Sequence, residues 1–313
     1  DENLEFLRME QIQIVASMNP ATTVGRHPIS TRFTAIVRVI ALDYPDTPEL
    51  TTVYASYLEI LGGLRAEDSR LQRPSDRTKL AATLVEAFEQ IKGKFSVDDH
   101  RHYLFTPRDI TAWVRSLLRY DLRAEELLDV LAYEAARLFR DRMVDADSEK
   151  KFDGILNSLL RARWKHSPQP AGSEYYTTHL VNNAADKTDP AAIAANRARG
   201  GRQLGRISVD DFKALAQRQL VLYEREERDL QIKLFPEILD HLAFIDRVLS
   251  QAGGHLLLTG RSGVGRRTAT VLASYMLGHQ FMSPSVTRGF DAKGFAAELK
   301  PVLQVAGVDG QDV

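Results

Sequence analysis

The chain has 313 residues, 44 % hydrophobic and 27 % charged, and its 41 basic and 42 acidic side chains leave a formal net charge of −1. That length gives material for roughly two domains, and the near-balance of charge removes the overall electrostatic case for nucleic acid or an anionic membrane as partner. The absence of Cys excludes disulfides, thiolate metal sites and thiol nucleophiles, and no apolar run approaches the ~20 residues that cross a bilayer.

The chain starts at Asp1, without Met or a signal peptide, and the expectation is that it was cut from a longer polypeptide. Gln11-Ile-Gln-Ile-Val-Ala16 reads as a strand running into Ser17-Met-Asn-Pro20. Asn19 is thereby expected at the carboxyl end of a strand, where the ligand sites of α/β sheets gather. A polar loop from Ala21 to Arg32, which includes Arg26, leads to a second β-branched run, Phe33–Ile40, and Pro45 breaks it. Two strands make no sheet, so residues 1–46 read as the tail of an α/β domain whose other strands lie upstream.

From 47 to 166 the pattern is helical, with apolar residues at helical spacing in Leu50–Leu61, Lys79–Ile91, Arg108–Leu118 and Ala124–Met143. Thr106-Pro-Arg-Asp109 reads as an N-cap followed by Pro at the first helical position, which starts a helix at Pro107. Over 167–206 the composition shifts to Ala, Asn, Gly and Pro. Ala184–Arg199 has the pattern of a short helix, but Gly172, Gly200, Gly201 and Gly205 argue for a flexible linker or surface insertion. In the last part, 207–313, Ser208-Val-Asp-Asp211 caps a charged helix through Glu227, and Pro236 starts another through Leu249.

His255-Leu-Leu-Leu-Thr259 then leads into Gly260-Arg-Ser-Gly-Val-Gly-Arg-Arg-Thr268. A strand, a Gly-rich turn and a helix start form the P-loop layout, in which backbone N–H groups and a helix N-terminus cradle phosphates. Gly260, Ser262, Gly263, Val264 and Gly265 retain the cradle. Arg266 stands where the phosphate-reaching Lys belongs and Arg267 where the magnesium-binding hydroxyl belongs. Thr268 is one residue late, roughly 100° around the helix. No later apolar strand ends in the paired acids that hydrolysis requires, so the loop is expected to bind nucleotide weakly or statically and to hydrolyse it poorly. The histidines show no metal-ligand spacing, so no metal site is assigned to them.

Four stretches resemble a dynein heavy chain. Ser17-Met-Asn-Pro-Ala-Thr-Thr-Val-Gly-Arg-His-Pro-Ile-Ser-Thr-Arg-Phe33 is similar to the Asn-Pro-Pro-Thr…Gly-Arg-x-Pro-Leu-Ser-x-Arg-Phe segment of that family's third AAA+ module. His102-Tyr-Leu-Phe-Thr-Pro-Arg-Asp109 with Trp113-Val-Arg115 resembles the start of the sensor-two helix in the same module's small domain. Tyr133-Glu-Ala-Ala-Arg-Leu-Phe-Arg-Asp-Arg142 is similar to a signature that recurs in dynein small domains, and the loop at Gly260 falls where the fourth module begins. The Gly-Arg-Ser-Gly-Val-Gly-Arg-Arg form of that loop looks most like the cytoplasmic dynein of intraflagellar transport.

The resemblance implies α/β plus all-α architecture, with incomplete α/β large domains of AAA+ P-loop modules flanking a helical small domain. It implies Asn19 as sensor one, Arg32 as arginine finger toward the preceding module, and Arg108 as sensor two. The residues leave other readings open. Asn19 also fits a strand-ending turn, Arg26 competes with Arg32, and all three arginines fit solvated positions. Leu234 and Phe235 are implied as walls of an adenine pocket, with helix packing the alternative. Glu134, Arg137, Asp141 and Arg142 fit a structural ladder of ion pairs on one helix face.

As cofactors the resemblance implies ATP or ADP, with magnesium at ring sites completed by residues outside the chain. As partners it implies the neighbouring AAA+ modules, microtubules through a coiled-coil stalk outside this segment, dynein light and intermediate chains, and intraflagellar transport particles. The implied location is the cytoplasm, the cytoskeleton and the ciliary or flagellar axoneme. The competing functional reading is a free-standing nucleotide-sensing scaffold with a hydrolysis-deficient P-loop.

Overall fold

The computed structural model describes residues 11–19, 27–65, 68–170, 172–180 and 189–313, and it separates into two units, Asp1–Tyr44 and Pro45–Val313. Among the described residues of the first unit there is one short helix, α1 (Thr31–Thr34), opened by the Ser30 hydroxyl, which accepts the Phe33 N–H at 3.3 Å. The strands expected at Gln11–Ala16 and Phe33–Ile40 do not form. Both runs lack a ladder partner, and Ile14, Val15, Ile36 and Ile40 are at least 80 % exposed. A β-branched run becomes a strand only where a neighbour takes up its backbone N–H and C=O groups.

The second unit opens with helices whose starts are written in the sequence. α2 (Thr47–Arg65) begins with a reciprocal cap, since Glu49 N–H donates to Asp46 Oδ1 at 2.8 Å and Asp46 N–H donates to Glu49 Oε2 at 3.0 Å. A short α3 (Ser69–Gln72) precedes α4 (Pro74–Lys94), which has Pro in its first turn. α5 (Pro107–Ser116) starts at the expected Pro107, and Thr106 N–H donates to Asp109 Oδ2 at 2.7 Å. α6 (Leu127–Leu138) and α7 (Ala146–Trp164) follow, the latter capped by Asp145 accepting from Ser148 N–H at 2.8 Å.

α2 packs along α4, and α4 against α7. Phe88, Trp113, Phe139 and Phe152 are fully buried between these helices, and burial of each such side chain contributes about 1.5–3 kcal/mol. The Trp113 indole N–H donates to the Leu131 carbonyl at 2.9 Å, so its polar edge is satisfied inside the core.

Between 167 and 206, expected as a flexible linker or surface insertion, the described residues are folded. β1 (Glu174–Thr177) pairs antiparallel with β2 (Gly205–Ser208), Tyr175 opposite Ile207. α8 (Pro190–Arg199) lies between them in sequence, and the first residues of the helix expected at Ala184–Arg199 fall outside the described set. Strand alternation sends the two adjacent tyrosines opposite ways. Tyr176 packs edge-on against Tyr120 and Tyr133 in the first helical core, with ring centroids 5.2 and 4.9 Å away. Tyr175 packs against Phe212 at 5.1 Å in a second core. The glycine-rich composition concealed a hairpin that stitches the two cores together.

The second core is built by α9 (Val209–Glu226), α10 (Pro236–Leu249) and α11 (Arg266–Leu277), around Phe212, Leu239, Leu242 and Leu272. α9 starts where expected, with Ser208 Oγ accepting from Asp211 N–H at 3.2 Å. α12 (Ala292–Gly307) buries none of its residues. The expected α/β character is therefore corrected: among the described residues the fold is mainly helical with one two-stranded sheet. His255–Thr259, expected as a strand, is extended without a ladder partner, and Leu257 is 86 % exposed.

Candidate phosphate loop and a buried polar junction

Gly260 to Gly265 carries the chain from the extended His255–Thr259 segment into α11. Gly263 has φ 87° and Gly265, the N-cap of α11, has φ 76°. Both lie in the left-handed region that L side chains seldom adopt. A Cβ at Gly265 would lie 3.2 Å from Ile238 Cδ1, so the first turn of α10 closes against the loop. Among the described residues, the backbone N–H groups from Val264 to Thr268 meet no acceptor, and no side chain caps α11. These free donors at a positive helix end form the local chemistry of a phosphate cradle.

The side chains add positive charge. Arg261, Arg266 and Arg267 form no ion pair among the described residues, and the Arg266 stem passes under Gly260, its Cδ 3.8 Å from where a Cβ there would lie. Arg267 places its guanidinium 5.9 Å from the Phe281 ring centroid, within cation–π range. The residues fit a polyphosphate, but they do not fit a magnesium ion. A guanidinium has no lone pair to offer a cation, and the described residues hold no cluster of three or more His, Asp or Glu arranged for a metal.

Leu234 and Phe235 lie in the chain leading into α10, yet their environments diverge. Leu234 is buried in the second core and Phe235, the N-cap residue of α10, is 59 % exposed. Arg108 is exposed in the first turn of α5, beside Asp109, whose Oδ1 pairs with Arg142 at 3.3 Å. In the first unit, Asn19 is exposed in extended chain and Arg32 is exposed in α1. Arg26 lies outside the described residues.

The expected ladder of Glu134, Arg137, Asp141 and Arg142 on one helix face is corrected. Arg137 does pair with Asp141 at 3.3 Å, four residues on, and its guanidinium lies 3.9 Å over the Phe244 ring of α10. Arg142 turns instead to Asp109, and Glu134 turns inward. Glu134 is fully buried and pairs with Arg247 of α10, whose Nε donates to Glu134 Oε1 at 3.0 Å. The Tyr120 hydroxyl donates to the same carboxylate. Burial alone pushes the Glu134 carboxyl up, but the Arg247 charge and its hydrogen bonds, with those of Tyr120 and Ser116, outweigh it and hold the group down at about 2.

Arg119, from the 3₁₀ turn after α5, crosses to the C-terminal end of α10. It is 2 % exposed and donates to Arg202 O at 2.9 Å, Arg247 O at 2.7 Å and Ser250 Oγ at 2.6 Å. A cation at a helix C-terminus satisfies orphan carbonyls and complements the dipole. Asp246, one residue before Arg247, accepts from Thr178 N–H at 2.8 Å and Thr178 Oγ1 at 2.6 Å. The sequence reading missed Arg119, Asp246 and Arg247. A signal existed: Glu134 continues the apolar stripe of Leu127 and Leu131, and Asp246 that of Leu239 and Leu242, and charges on an apolar stripe are buried only with partners.

The description "Dynein heavy chain, ATPase lid domain" matches residues 65–149, and "P-loop containing dynein motor region D4" matches residues 230–313. Over the whole chain the sequence is 42 % identical to the cytoplasmic dynein 2 heavy chain 1 of Tripneustes gratilla, 41 % to that of Homo sapiens and 36 % to that of Chlamydomonas reinhardtii. The chain spans 7 % of the length of each of these relatives. The lid match covers α4 to α6 and the D4 match covers α10 to α12, so the buried Glu134–Arg247 pair joins the two matched regions. With two dynein heavy chain domains matched in order and the whole of its own length aligned within these relatives, this chain carries motor-region sequence of the dynein heavy chain family.

Proposed function

We propose that this chain works as part of a minus-end-directed microtubule motor that hydrolyses ATP and drives retrograde intraflagellar transport in the cilium. Residues 1–46 belong to the third AAA+ large domain, 47–166 to its helical small domain, 167–206 to the connection and 207–313 to the start of the fourth module. The observation that carries this reading is the loop at Gly260–Thr268: its glycine geometry and free N–H groups suit nucleotide phosphates, while Arg266 and Arg267 replace the residues that support hydrolysis. The fourth site binds nucleotide weakly or statically and hydrolyses it poorly.

In this reading Arg32, with Arg26 as competitor, reaches the nucleotide of the preceding module. Asn19 and Arg108 act as sensor one and sensor two of the third site. The exposure of Asn19, Arg32 and Arg108 leaves these side chains available to a nucleotide. Light and intermediate chains, transport particles and the microtubule are engaged by the assembled heavy chain. The test is a microtubule gliding assay with intact heavy chain carrying Asn19→Ala, Arg32→Ala or Arg108→Ala. Slower minus-end-directed movement and reduced microtubule-stimulated ATP turnover are expected, and unchanged gliding in all three variants overturns the assigned roles.

A further inference from the structure

We infer that the Gly260–Thr268 loop binds nucleotide polyphosphate without a divalent cation, Arg266 and Arg267 supplying the charge that a P-loop lysine and its magnesium ordinarily share. The inference rests on the nucleotide-binding reading of this loop and adds to it the state of the ligand, a metal-free nucleoside di- or triphosphate.

A magnesium ion in a P-loop neutralises phosphate oxygens while held by a hydroxyl at the position after the lysine. Arg267 occupies that position. It is a permanent cation that repels a metal and donates hydrogen bonds to phosphate directly, in bidentate geometry where the oxygens allow. Thr268, the nearest hydroxyl in sequence, lies on a different face of α11, roughly 100° away.

The local electrostatics favour a bare polyanion. Arg261, Arg266 and Arg267 lack a carboxylate partner among the described residues, so the loop carries uncompensated positive charge beside the free N–H groups of Val264 to Thr268. Arg267 rests within cation–π range of Phe281, a contact that holds the guanidinium near the start of α11 and limits the freedom it loses when a phosphate arrives. A metal-free site of this kind has no ion to polarise an attacking water, which agrees with retention of nucleotide in place of turnover.

The test is hydrogen exchange of the peptide spanning Thr259–Leu277, read by mass spectrometry in the intact heavy chain with ADP or ATP, in magnesium and in excess EDTA. Protection of the loop amides by nucleotide is expected in both conditions, and Arg267→Thr is expected to lose protection in EDTA while keeping it in magnesium. Protection by nucleotide in magnesium alone, with the native sequence, overturns the inference and leaves the nucleotide-binding reading standing. Protection in neither condition overturns both. Because the native chain is compared with itself, the result does not depend on the variant folding.

Discussion

Glu134 of α6 and Arg247 of α10, 113 residues apart, form a buried ion pair in which Arg247 Nε donates to Glu134 Oε1 at 3.0 Å. Arg247 also offers its backbone carbonyl to Arg119 at 2.7 Å. One residue of the P-loop region is thus gripped twice from the lid, by a carboxylate at its side chain and by a guanidinium at its main chain. Two charges withdrawn from water together lose hydration that only close, well-aligned partners restore.

Removing one partner of that pair leaves the other charged and dry. Glu134→Leu or Arg247→Met alone is expected to destabilise the chain by about 3–5 kcal/mol. Replacing both, as Glu134→Leu with Arg247→Met, is expected to cost much less than the sum. Urea unfolding of the four species as a double-mutant cycle measures the coupling, and additive losses would show that the two side chains act independently.

Arg119→Lys keeps the charge and loses the fork. Three acceptors, Arg202 O, Arg247 O and Ser250 Oγ, are spread around one guanidinium, and a single ammonium on a flexible stem cannot meet all three. The expected loss is about 1–3 kcal/mol, seen as a lower urea midpoint with an unchanged slope. Equal stability of Lys and Arg here would mean that only the charge at the α10 terminus matters.

Acid acts on this junction in a defined direction. Glu134 is held at about 2 against an ordinary 4.5, so its contribution is complete above about 4.5 and is lost as pH falls toward 2. Thermal melts across pH are expected to lose part of the acid limb in Glu134→Gln.

Two glycines separate crowding from propensity. At Gly254 a Cβ would come within 1.9 Å of the Val248 carbonyl oxygen, so Gly254→Ala must move the turn that leads from α10 toward the P-loop, at an expected cost of about 1–3 kcal/mol or more. Gly154 lies inside α7 with nothing within 4 Å of an added Cβ, and Gly154→Ala is expected to gain about 0.5–1 kcal/mol. Differential scanning calorimetry of the two variants distinguishes them, and destabilisation by Gly154→Ala would contradict the described helix surface.

Helix starts were legible because a cap is a local contract: Thr106 with Asp109 and Ser208 with Asp211 complete their contacts within four residues. The Gly260–Thr268 loop was legible for the same reason, since the left-handed turns at Gly263 and Gly265 need glycine wherever the rest of the chain goes. The strands at Gln11–Ala16, Phe33–Ile40 and His255–Thr259 were misread because their apolar pattern states a preference that only an adjacent strand can fulfil. The β1–β2 hairpin was missed for the converse reason, its partners being about thirty residues apart within glycine-rich sequence.

By itself, then, the sequence determined where helices begin and which glycines bend the Gly260–Thr268 loop, both of them consequences of backbone sterics and bonds between near neighbours. Only the tertiary structure decided that Glu134 and Arg119 of the lid would converge on Arg247 and that Tyr175 and Tyr176 would face two different cores. Those outcomes depend on which surfaces exclude water together, and a charge or a strand acquires its partner only when packing brings distant segments within hydrogen-bond reach.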